Sequence, residues 1–176
     1  MSFFAINRCL LYNFFMQTSP IPENEEERLA AVHRMAILDT KPEERFDRLT
    51  KEAVEKLKVP ISTIAILDAK REWYKSCQGL DRQESERAVS FCGHALLSKV
   101  VFIVEDTLKD PRFADNPMVI GSPFIRFYAG MVLLDYKTGQ AVGVFCIKDT
   151  KPRKLSVQEL GIFMDIAGRV EEEINK

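Results

Sequence analysis

The sequence predicts an α+β fold in which helices pack on an antiparallel sheet. Short runs of β-branched or alternating apolar residues predict the strands, and apolar stripes at three- and four-residue spacing predict the helices. The predicted order is two helices, a two-stranded hairpin, a single strand, a long irregular segment, a second hairpin and a last helix. A turn at Thr138 and Gly139 joins the last two strands, which makes them antiparallel.

Three amphipathic segments are predicted to be the long helices. Each follows a pair of residues spaced like a capping box, in which two side chains satisfy backbone N–H groups: Asn24 and Glu27, Thr40 and Glu43, and Ser156 and Glu159. The last segment carries a heptad-like apolar seam at Leu160, Phe163, Ala167, Val170 and Ile174. Because Val170 and Ile174 lie far along that helix, we expect the seam to pass the edge of the sheet.

Five segments have the composition of strands, and a short helix lies between them. The strands are predicted at Ile61–Leu67, Trp73–Gln78, Val100–Val104, Tyr128–Leu134 and Ala141–Lys148. Gly79 opens a polar loop, and Ser90 is suited to cap the short helix that follows it. No internal repeat or low-complexity segment interrupts this order.

The segment Glu105–Gly130, called the flap below, is too long and irregular for an ordinary connection. Loops of more than about 12–15 residues in a compact domain are usually functional or disordered, and the many apolar side chains of the flap argue against disorder. Asp115 or Asn116 is suited to cap a short helix that starts at Pro117 and ends at Gly121. We therefore expect the flap to fold, to pack on the sheet and to enclose something.

Composition and charge restrict the function classes. The 176 residues fit one domain, and 46% hydrophobic residues suffice for a full core. A formal net charge of −1 gives no basic surplus for nucleic acid or an anionic membrane, so neither is expected as a partner. The four cysteines form no CxxC pair, which leaves zinc-ribbon and thioredoxin chemistry unsupported. Free thiols indicate a reducing cytoplasm.

The first residues are apolar but fit no targeting class well. The run is too short to span a bilayer, Asn7, Arg8 and Asn13 interrupt it, and no A-x-A-like cleavage site follows. We interpret residues 1–22 as an N-terminal extension, either disordered or the product of a mistaken start codon with Met16 as the true first residue; a weak signal peptide or anchor is the alternative. Residues 23–176 are predicted to form a single domain with its flanking helices.

Several separated blocks of sequence resemble a GAF domain of the form found N-terminally in bacterial diguanylate cyclases and sensor histidine kinases. They are ERLAAVHRMAILDT at Glu27–Thr40, PEERFDRLT at Pro42–Thr50, SFCGHALL at Ser90–Leu97, DPRFADNP at Asp110–Pro117 and IRFYAG at Ile125–Gly130. The resemblance spans Glu23 to about Arg169, nearly the whole chain after the N-terminal extension. Because the blocks occur in the right order, the match is more specific than one short motif.

The resemblance implies a central antiparallel sheet with helices on one face and a ligand pocket under the flap on the other. It also implies a non-catalytic sensory or regulatory domain that binds a small molecule, dimerises through its terminal helices and passes signals to an output domain. The 176 residues contain no GGDEF or kinase sequence, so the output domain stays open. The Asn-Lys-Phe-Asp-Glu signature of cyclic-nucleotide-binding members is absent, so the resemblance does not extend to that ligand.

Six residues are the candidates for contact with the unknown small molecule: Trp73, His94, Asp106, Arg112, Asn116 and Tyr128. The histidine is equally compatible with ligand contact and with a structural role. The three polar flap residues can bind a polar ligand or hold the flap in shape, and we favour the second role because every turn of a flap needs polar satisfaction. For the two aromatic residues, core packing comes first and pocket lining second.

Thiol chemistry is the main alternative to a binding function. Cys92 and His94 lie at the start of a short helix, where a thiol pKa can be lowered, and the pair can also be read as half of a metal site. Two ligands are too few for a metal, and small buried cysteines mostly serve packing. The flap contains no cysteine, so we expect neither a covalently bound bilin nor any other cofactor.

The sequence thus predicts a cytoplasmic, non-catalytic sensory domain that forms a homodimer. One alternative is a thiol enzyme that uses Cys92 or Cys77, resembling the GAF proteins that reduce free methionine sulfoxide. Another is a pure dimerisation module whose own side chains fill the pocket. We expect the dimer to be parallel, formed by the terminal helices, and weakened by Ile174→Glu with the fold intact.

Overall fold

The computed structural model describes residues 16–176, and it contains one six-stranded antiparallel sheet. The strands are β1 (Ile61–Leu67), β2 (Arg71–Gln78), β3 (Glu84–Glu86), β4 (Phe102–Val104), β5 (Phe127–Leu134) and β6 (Ala141–Asp149). Their order across the sheet is β3-β2-β1-β6-β5-β4, so β1 and β6 lie at the centre. The interpretation of residues 1–15 as part of an extension lies outside the described residues.

In the described part of the chain, five α-helices accompany the sheet: α1 (Glu25–Arg34), α2 (Glu44–Leu57), α3 (Phe91–Ala95), α4 (Pro117–Ile120) and α5 (Val157–Ile174). The three long helices α1, α2 and α5 pack on one face, and the short helices α3 and α4 belong to the opposite face. The predicted fold class is confirmed, with helices on one face of an antiparallel sheet and a flap over the other.

Alternation along the central strands divides the core into two layers. In β6, Phe145 and Ile147 point to the long helices, whereas Val144 and Cys146 point to α3 and the flap. The ring of Phe145 stacks on that of Phe163 in α5, with centroids 5.3 Å apart. The centre of the sheet is therefore covered on both faces, and its flap-side layer contains the candidate site.

The strand β3 was not predicted, because its residues read as part of a polar loop. Glu84, Ser85 and Glu86 carry little of the apolar pattern that marks a strand. They pair with Trp73, Glu72 and Arg71 at the edge of the sheet. An edge strand needs only one hydrogen-bonded neighbour, so polar side chains are tolerated there.

One of the three predicted capping boxes is present. The backbone N–H of Glu159 donates to Ser156 Oγ at 3.2 Å, and that of Ser156 donates to Glu159 Oε2 at 2.8 Å. The other two are wrong. The side chain of Asn24 instead donates to Gln140 Oε1 at 2.6 Å, and Thr40 lies outside α2 with its hydroxyl bonded within the preceding loop. In both cases a tertiary or loop partner competes with the helix N-terminus.

The expectation that the seam of α5 runs past the sheet is wrong. Val170 is fully buried, and Ile174 is only 7% exposed. The end of α5 is held inside the protomer, because Arg45 Nη1 donates to Glu173 O at 2.8 Å and Asn175 Nδ2 donates to Leu134 O at 2.8 Å. The helix α2 and the end of β5 thus cover the surface that was expected to be free.

The flap folds as predicted around a one-turn helix. Asn116 Oδ1 accepts a hydrogen bond from the Met118 N–H at 2.9 Å, Pro117 occupies the first turn, and Gly121 follows the last helical residue. A hydrogen bond from the Thr107 backbone N–H to Arg126 O, 2.8 Å long, joins the segment before this helix to the segment after it. The last four residues of the flap already belong to β5. Within residues 16–176, no helix combines the length and the apolarity needed to cross a bilayer.

Candidate functional site

The layer between sheet and flap contains a stack of aromatic rings. Phe91 of α3 lies against Phe113 of the flap, with centroids 4.4 Å apart, and against Tyr128 of β5, with centroids 5.2 Å apart. All three side chains are buried. The protein's own side chains thus fill the part of this layer nearest β5.

Beside the stack lies a set of polar side chains, called the buried polar cluster below. It comprises Glu72 of β2, Ser90 and Cys92 at the start of α3, and Cys146 and Lys148 of β6. Alternation along β6 places Cys146 and Lys148 on the same face, and Ser90 caps α3 by accepting from the Gly93 N–H at 3.0 Å. A short helix and two strands therefore direct five polar groups into a core layer.

The charged pair at the centre of the cluster is incompletely hydrogen-bonded. Lys148 Nζ lies 4.0 Å from Glu72 Oε1, beyond hydrogen-bonding distance, and both side chains are at most 2% exposed. Ser90 Oγ donates to the other carboxylate oxygen, Glu72 Oε2. Within the described chain, Glu72 Oε1 has no hydrogen-bond partner. A buried carboxylate in this condition is costly, because the lost hydration is not replaced.

Electrostatics keep Lys148 protonated. Burial alone lowers the pKa of its ammonium group, but the charges of Cys146 and Glu72 outweigh burial, so the pKa lies well above its ordinary value. Lys148 Nζ also lies 5.5 Å from the centroid of the Tyr74 ring, within the range of a cation–π contact. Burial raises the pKa of the Tyr74 hydroxyl, so Tyr74 is neutral at physiological pH. The cluster therefore places the Lys148 ammonium beside the carboxyl group of Glu72 and the thiol of Cys146.

The two thiols of the cluster are in contact. Cys92 Sγ donates to Cys146 Sγ at 3.6 Å and accepts from the hydroxyl of Tyr128 at 3.2 Å. Thr63 Oγ1 lies 3.0 Å from Cys146 Sγ. Burial raises the pKa of Cys92, whereas for Cys146 the hydrogen bond from Cys92 and the charge of Lys148 outweigh burial and lower the pKa.

An open groove of about 690 Å³ runs between β3 and the flap helix α4. Its walls include Ser85 and Glu84 of β3, Val89, and Pro117 and Met118 of α4. Met118 also packs in the flap-side core layer, so this side chain separates the groove from the interior. On the strand side, Ser85 Oγ lies 3.1 Å from the hydroxyl of Tyr74, the residue that contacts Lys148. Contacts through Ser85 and Tyr74 therefore connect the groove to the cluster.

The structure brings two of the predicted binding residues to the outer side of α3. His94 is half-buried, its ring meets Phe113 edge-on at 4.8 Å, and its Nε2 lies 3.1 Å from Gln17 O. Burial lowers the pKa of His94, which keeps the ring neutral. The guanidinium of Arg112 covers the rings of Phe113, at 5.3 Å, and Phe102, at 4.9 Å. These contacts give both residues a structural partner, and they lie outside the buried polar cluster.

The other four predicted residues are dispersed. Asn116 caps α4 and donates from Nδ2 to Val89 O at 2.9 Å, and Asp106 pairs with Lys109 at 3.1 Å. Tyr128 belongs to the aromatic stack and touches Cys92, so it adjoins the cluster. Trp73 packs in the core layer of the long helices, and the sheet separates it from the flap. Their proposed ligand contacts remain predictions, and the geometry gives the polar flap residues scaffold contacts.

Glu72 and Lys148 were not among the residues predicted from the sequence. Lys148 carries a detectable signal, because it is a charged residue that follows AVGVFCI, a run suited to a buried strand. Glu72 stands out less, because it lies in the more polar run REWYKSCQ. A charge that replaces an apolar residue on the inward face of a strand is unusual, because charged side chains are almost never fully buried unless paired. Their pairing depends on the sheet order, which single strands do not reveal.

Comparison with known proteins gives the family. The profile of the GAF domain family matches residues 41–174, and the chain therefore belongs to this family. A cyclic di-GMP phosphodiesterase of Pseudomonas aeruginosa is 42% identical over 138 residues, which are 78% of this chain and 23% of the relative. The chain thus spans less than a quarter of the length of that relative.

Solved structures show the same fold at low identity. The GAF domain of an Acinetobacter phosphoenolpyruvate-protein phosphotransferase superposes with a TM-score of 0.61 at 16% identity, over 84% of this chain and 92% of that one. The GAF domain of Thermosynechococcus elongatus PixJ, in its blue-light absorbing form, gives a TM-score of 0.59 at 14% identity, over 84% and 88%. At this level of identity the superpositions show a shared fold.

Proposed function

We propose that the chain is a non-catalytic sensory domain that binds a small polar molecule at the buried polar cluster, between sheet and flap. The observation that carries the proposal is the pair of Glu72 and Lys148, which is buried but separated by 4.0 Å, with one carboxylate oxygen unpartnered. A molecule with a hydrogen-bond donor for Glu72 and an acceptor for Lys148 would satisfy the hydrogen bonding of both side chains.

Entry to the cluster requires a small rearrangement of the flap. Met118 is the side chain shared by the groove and the flap-side core, and methionine changes rotamer at low cost because it is unbranched. Rotation of Met118, with a shift of the one-turn helix α4, would extend the groove toward Tyr74 and the cluster. Binding would then fix α4 and α3 together, which gives the domain two states that a ligand can bias.

The relatives support a regulatory role within a longer protein. The matched part of the Pseudomonas aeruginosa protein makes up 23% of a chain named as a cyclic di-GMP phosphodiesterase, so the remainder of that chain is available for other activities. We infer that this domain is likewise one part of a longer protein. It would be a cytoplasmic input module of a bacterial signalling protein such as a diguanylate cyclase, phosphodiesterase or sensor kinase.

A dimerisation module without a ligand is the second candidate. The aromatic stack of Phe91, Phe113 and Tyr128 favours it, because these rings occupy space that a larger ligand would need. The two candidates differ in the role of the Glu72–Lys148 pair. In the first candidate the pair binds the ligand, and in the second it has only a structural role.

A thermal-shift screen of polar metabolites separates the two candidates. We expect at least one compound to raise the melting temperature of the unmutated chain and to lose affinity in Lys148→Met by calorimetric titration. Lys151→Met, at an exposed lysine nearby in sequence, is the matched control and should bind normally. A screen without a specific binder, or a binder indifferent to Lys148→Met, would favour the module without a ligand.

We also propose that the domain forms a homodimer through its terminal helices, with a contact different from the seam first expected. An apolar groove of about 950 Å³ runs along α5 and the edge of the sheet, and Leu97, Val100, Leu134 and Met164 on its walls are exposed. Such a surface is typical of an interaction site. Met164→Glu should convert a dimer to a monomer in light scattering, whereas Val157→Glu, which is on α5 but outside the groove, should not. A monomeric unmutated protein at tens of micromolar would refute the dimer.

A further inference from the structure

Cys92 and Cys146 bring their sulfur atoms into contact. Their sulfur atoms lie 3.6 Å apart, about the sum of two sulfur radii, and a disulfide requires about 2.05 Å. One sulfur is on the short helix α3 and the other is at the centre of the sheet in β6. A shift of α3 by about 1.5 Å toward the sheet would close the gap.

The surroundings assign different roles to the two sulfurs. Cys146 accepts a hydrogen bond from Cys92, lies beside the Thr63 hydroxyl and is near the ammonium of Lys148, so its thiolate form is favoured. Cys92 is the donor of that hydrogen bond and stays protonated. This arrangement gives an attacking thiolate with a second thiol in contact with it.

We propose that Cys92 and Cys146 form a reversible disulfide when the protein meets hydrogen peroxide, and that this bond fixes α3 on the sheet. The reaction uses two members of the buried polar cluster but does not require a bound ligand, because the two sulfurs are already in contact. Transient disulfides of this kind occur in cytosolic proteins as redox sensors.

The reaction balances in two steps. The Cys146 thiolate attacks one peroxide oxygen, so an S–O bond forms, the O–O bond breaks, and the leaving hydroxide takes a proton and departs as water. Cys92 then loses its proton and attacks the sulfur of the Cys146 sulfenic acid. The S–S bond forms, the S–O bond breaks, and a second water leaves. Two thiols are oxidised by two electrons, and the peroxide is reduced to two waters.

Both sulfurs are buried, so access controls the rate. Hydrogen peroxide is small and uncharged, and α3 is only five residues long, so local opening of α3 is the expected route. Cys77 provides an internal comparison. It is partly exposed, its thiol donates to the Leu80 carbonyl at 3.8 Å, and burial raises its pKa, so it is easier to reach but stays protonated. Within residues 16–176 it has no thiol at hydrogen-bonding distance.

The test uses the full chain with Cys9→Ser and Cys77→Ser, which leaves two of the four thiols. After mild excess peroxide under native conditions, we expect both free thiols to be lost, the intact mass to fall by two hydrogens, and peptide mapping to show a Cys92–Cys146 link that dithiothreitol reverses. Adding Cys92→Ser should stop the reaction at the sulfenic acid of Cys146, which dimedone labels. If Cys92→Ser is poorly folded by circular dichroism, Cys92→Ala replaces it.

Three results would overturn the proposal. One is that both thiols survive peroxide in the folded protein. Another is that the disulfide forms only in urea, which would show that the native contact is not responsible. The third is that, in the unmutated chain, Cys9 or Cys77 pairs in preference to the Cys92–Cys146 contact.

Discussion

Removing the cation of the buried pair should destabilise the domain far more than an ordinary surface mutation. In Lys148→Met the side-chain length is nearly kept, so little packing is lost, but Glu72 remains buried with only the Ser90 hydroxyl as a partner. Breaking a buried pair by removing one partner costs about 3–5 kcal/mol. Against a total stability of about 5–15 kcal/mol, this loss is measurable by urea denaturation followed by circular dichroism.

Two controls decide whether charge is the cause. The double variant Glu72→Gln with Lys148→Met removes both charges and should recover most of the lost stability. Lys151→Met, at an exposed lysine, should change the free energy of unfolding by less than about 0.5 kcal/mol. A Lys148→Met variant within about 1 kcal/mol of the unmutated chain would refute the reasoning.

Three further predictions concern the scaffold. Because Ile174 is buried, Ile174→Glu should lower the free energy of unfolding by about 3 kcal/mol or more in urea denaturation, and a folded, equally stable variant would contradict this. Ser156→Ala should cost about 1 kcal/mol in the same assay through loss of the cap on α5, and no change would show that the capping box contributes nothing. For Glu25, burial raises the pKa, but Arg28 and Arg87 outweigh it and lower the pKa from 4.5 to about 2. The stability it provides should be present above pH 4.5 and lost as pH falls toward 2, so Glu25→Gln should be less stable than the unmutated chain at neutral pH and about equally stable near pH 2. A stability difference that is the same at both pH values would contradict this.

Local patterns were sufficient for most elements of the fold. The strand Ile61–Leu67 has the predicted bounds, and the one-turn helix after Asn116 forms as expected, because β-branched runs and a capping residue followed by proline act over a few residues. The fold class followed from the order of these elements and from the family resemblance. The polar strand β3 was not predicted, because its own residues lack an apolar strand pattern and it forms by pairing with β2.

Interactions across the structure account for what the sequence did not reveal. Ile174 was expected on a free seam, but Asn175 and Arg45 tie the end of α5 to other elements, and periodicity alone does not distinguish a buried stripe from an exposed one. Likewise Glu72 and Lys148 are 76 positions apart and meet only because β2 and β6 flank β1. A ligand site beneath the flap stays a prediction, and most residues of the buried polar cluster were not foreseen from the sequence.

Hydrogen exchange with the best compound from the thermal-shift screen tests the central claim most directly. If a small molecule binds at the buried polar cluster, amide exchange measured by mass spectrometry should slow in α3 (Phe91–Ala95) and α4 (Pro117–Ile120), and Lys148→Met should abolish the effect. Protection confined to the apolar groove along α5, or protection that persists in Lys148→Met, would contradict the account.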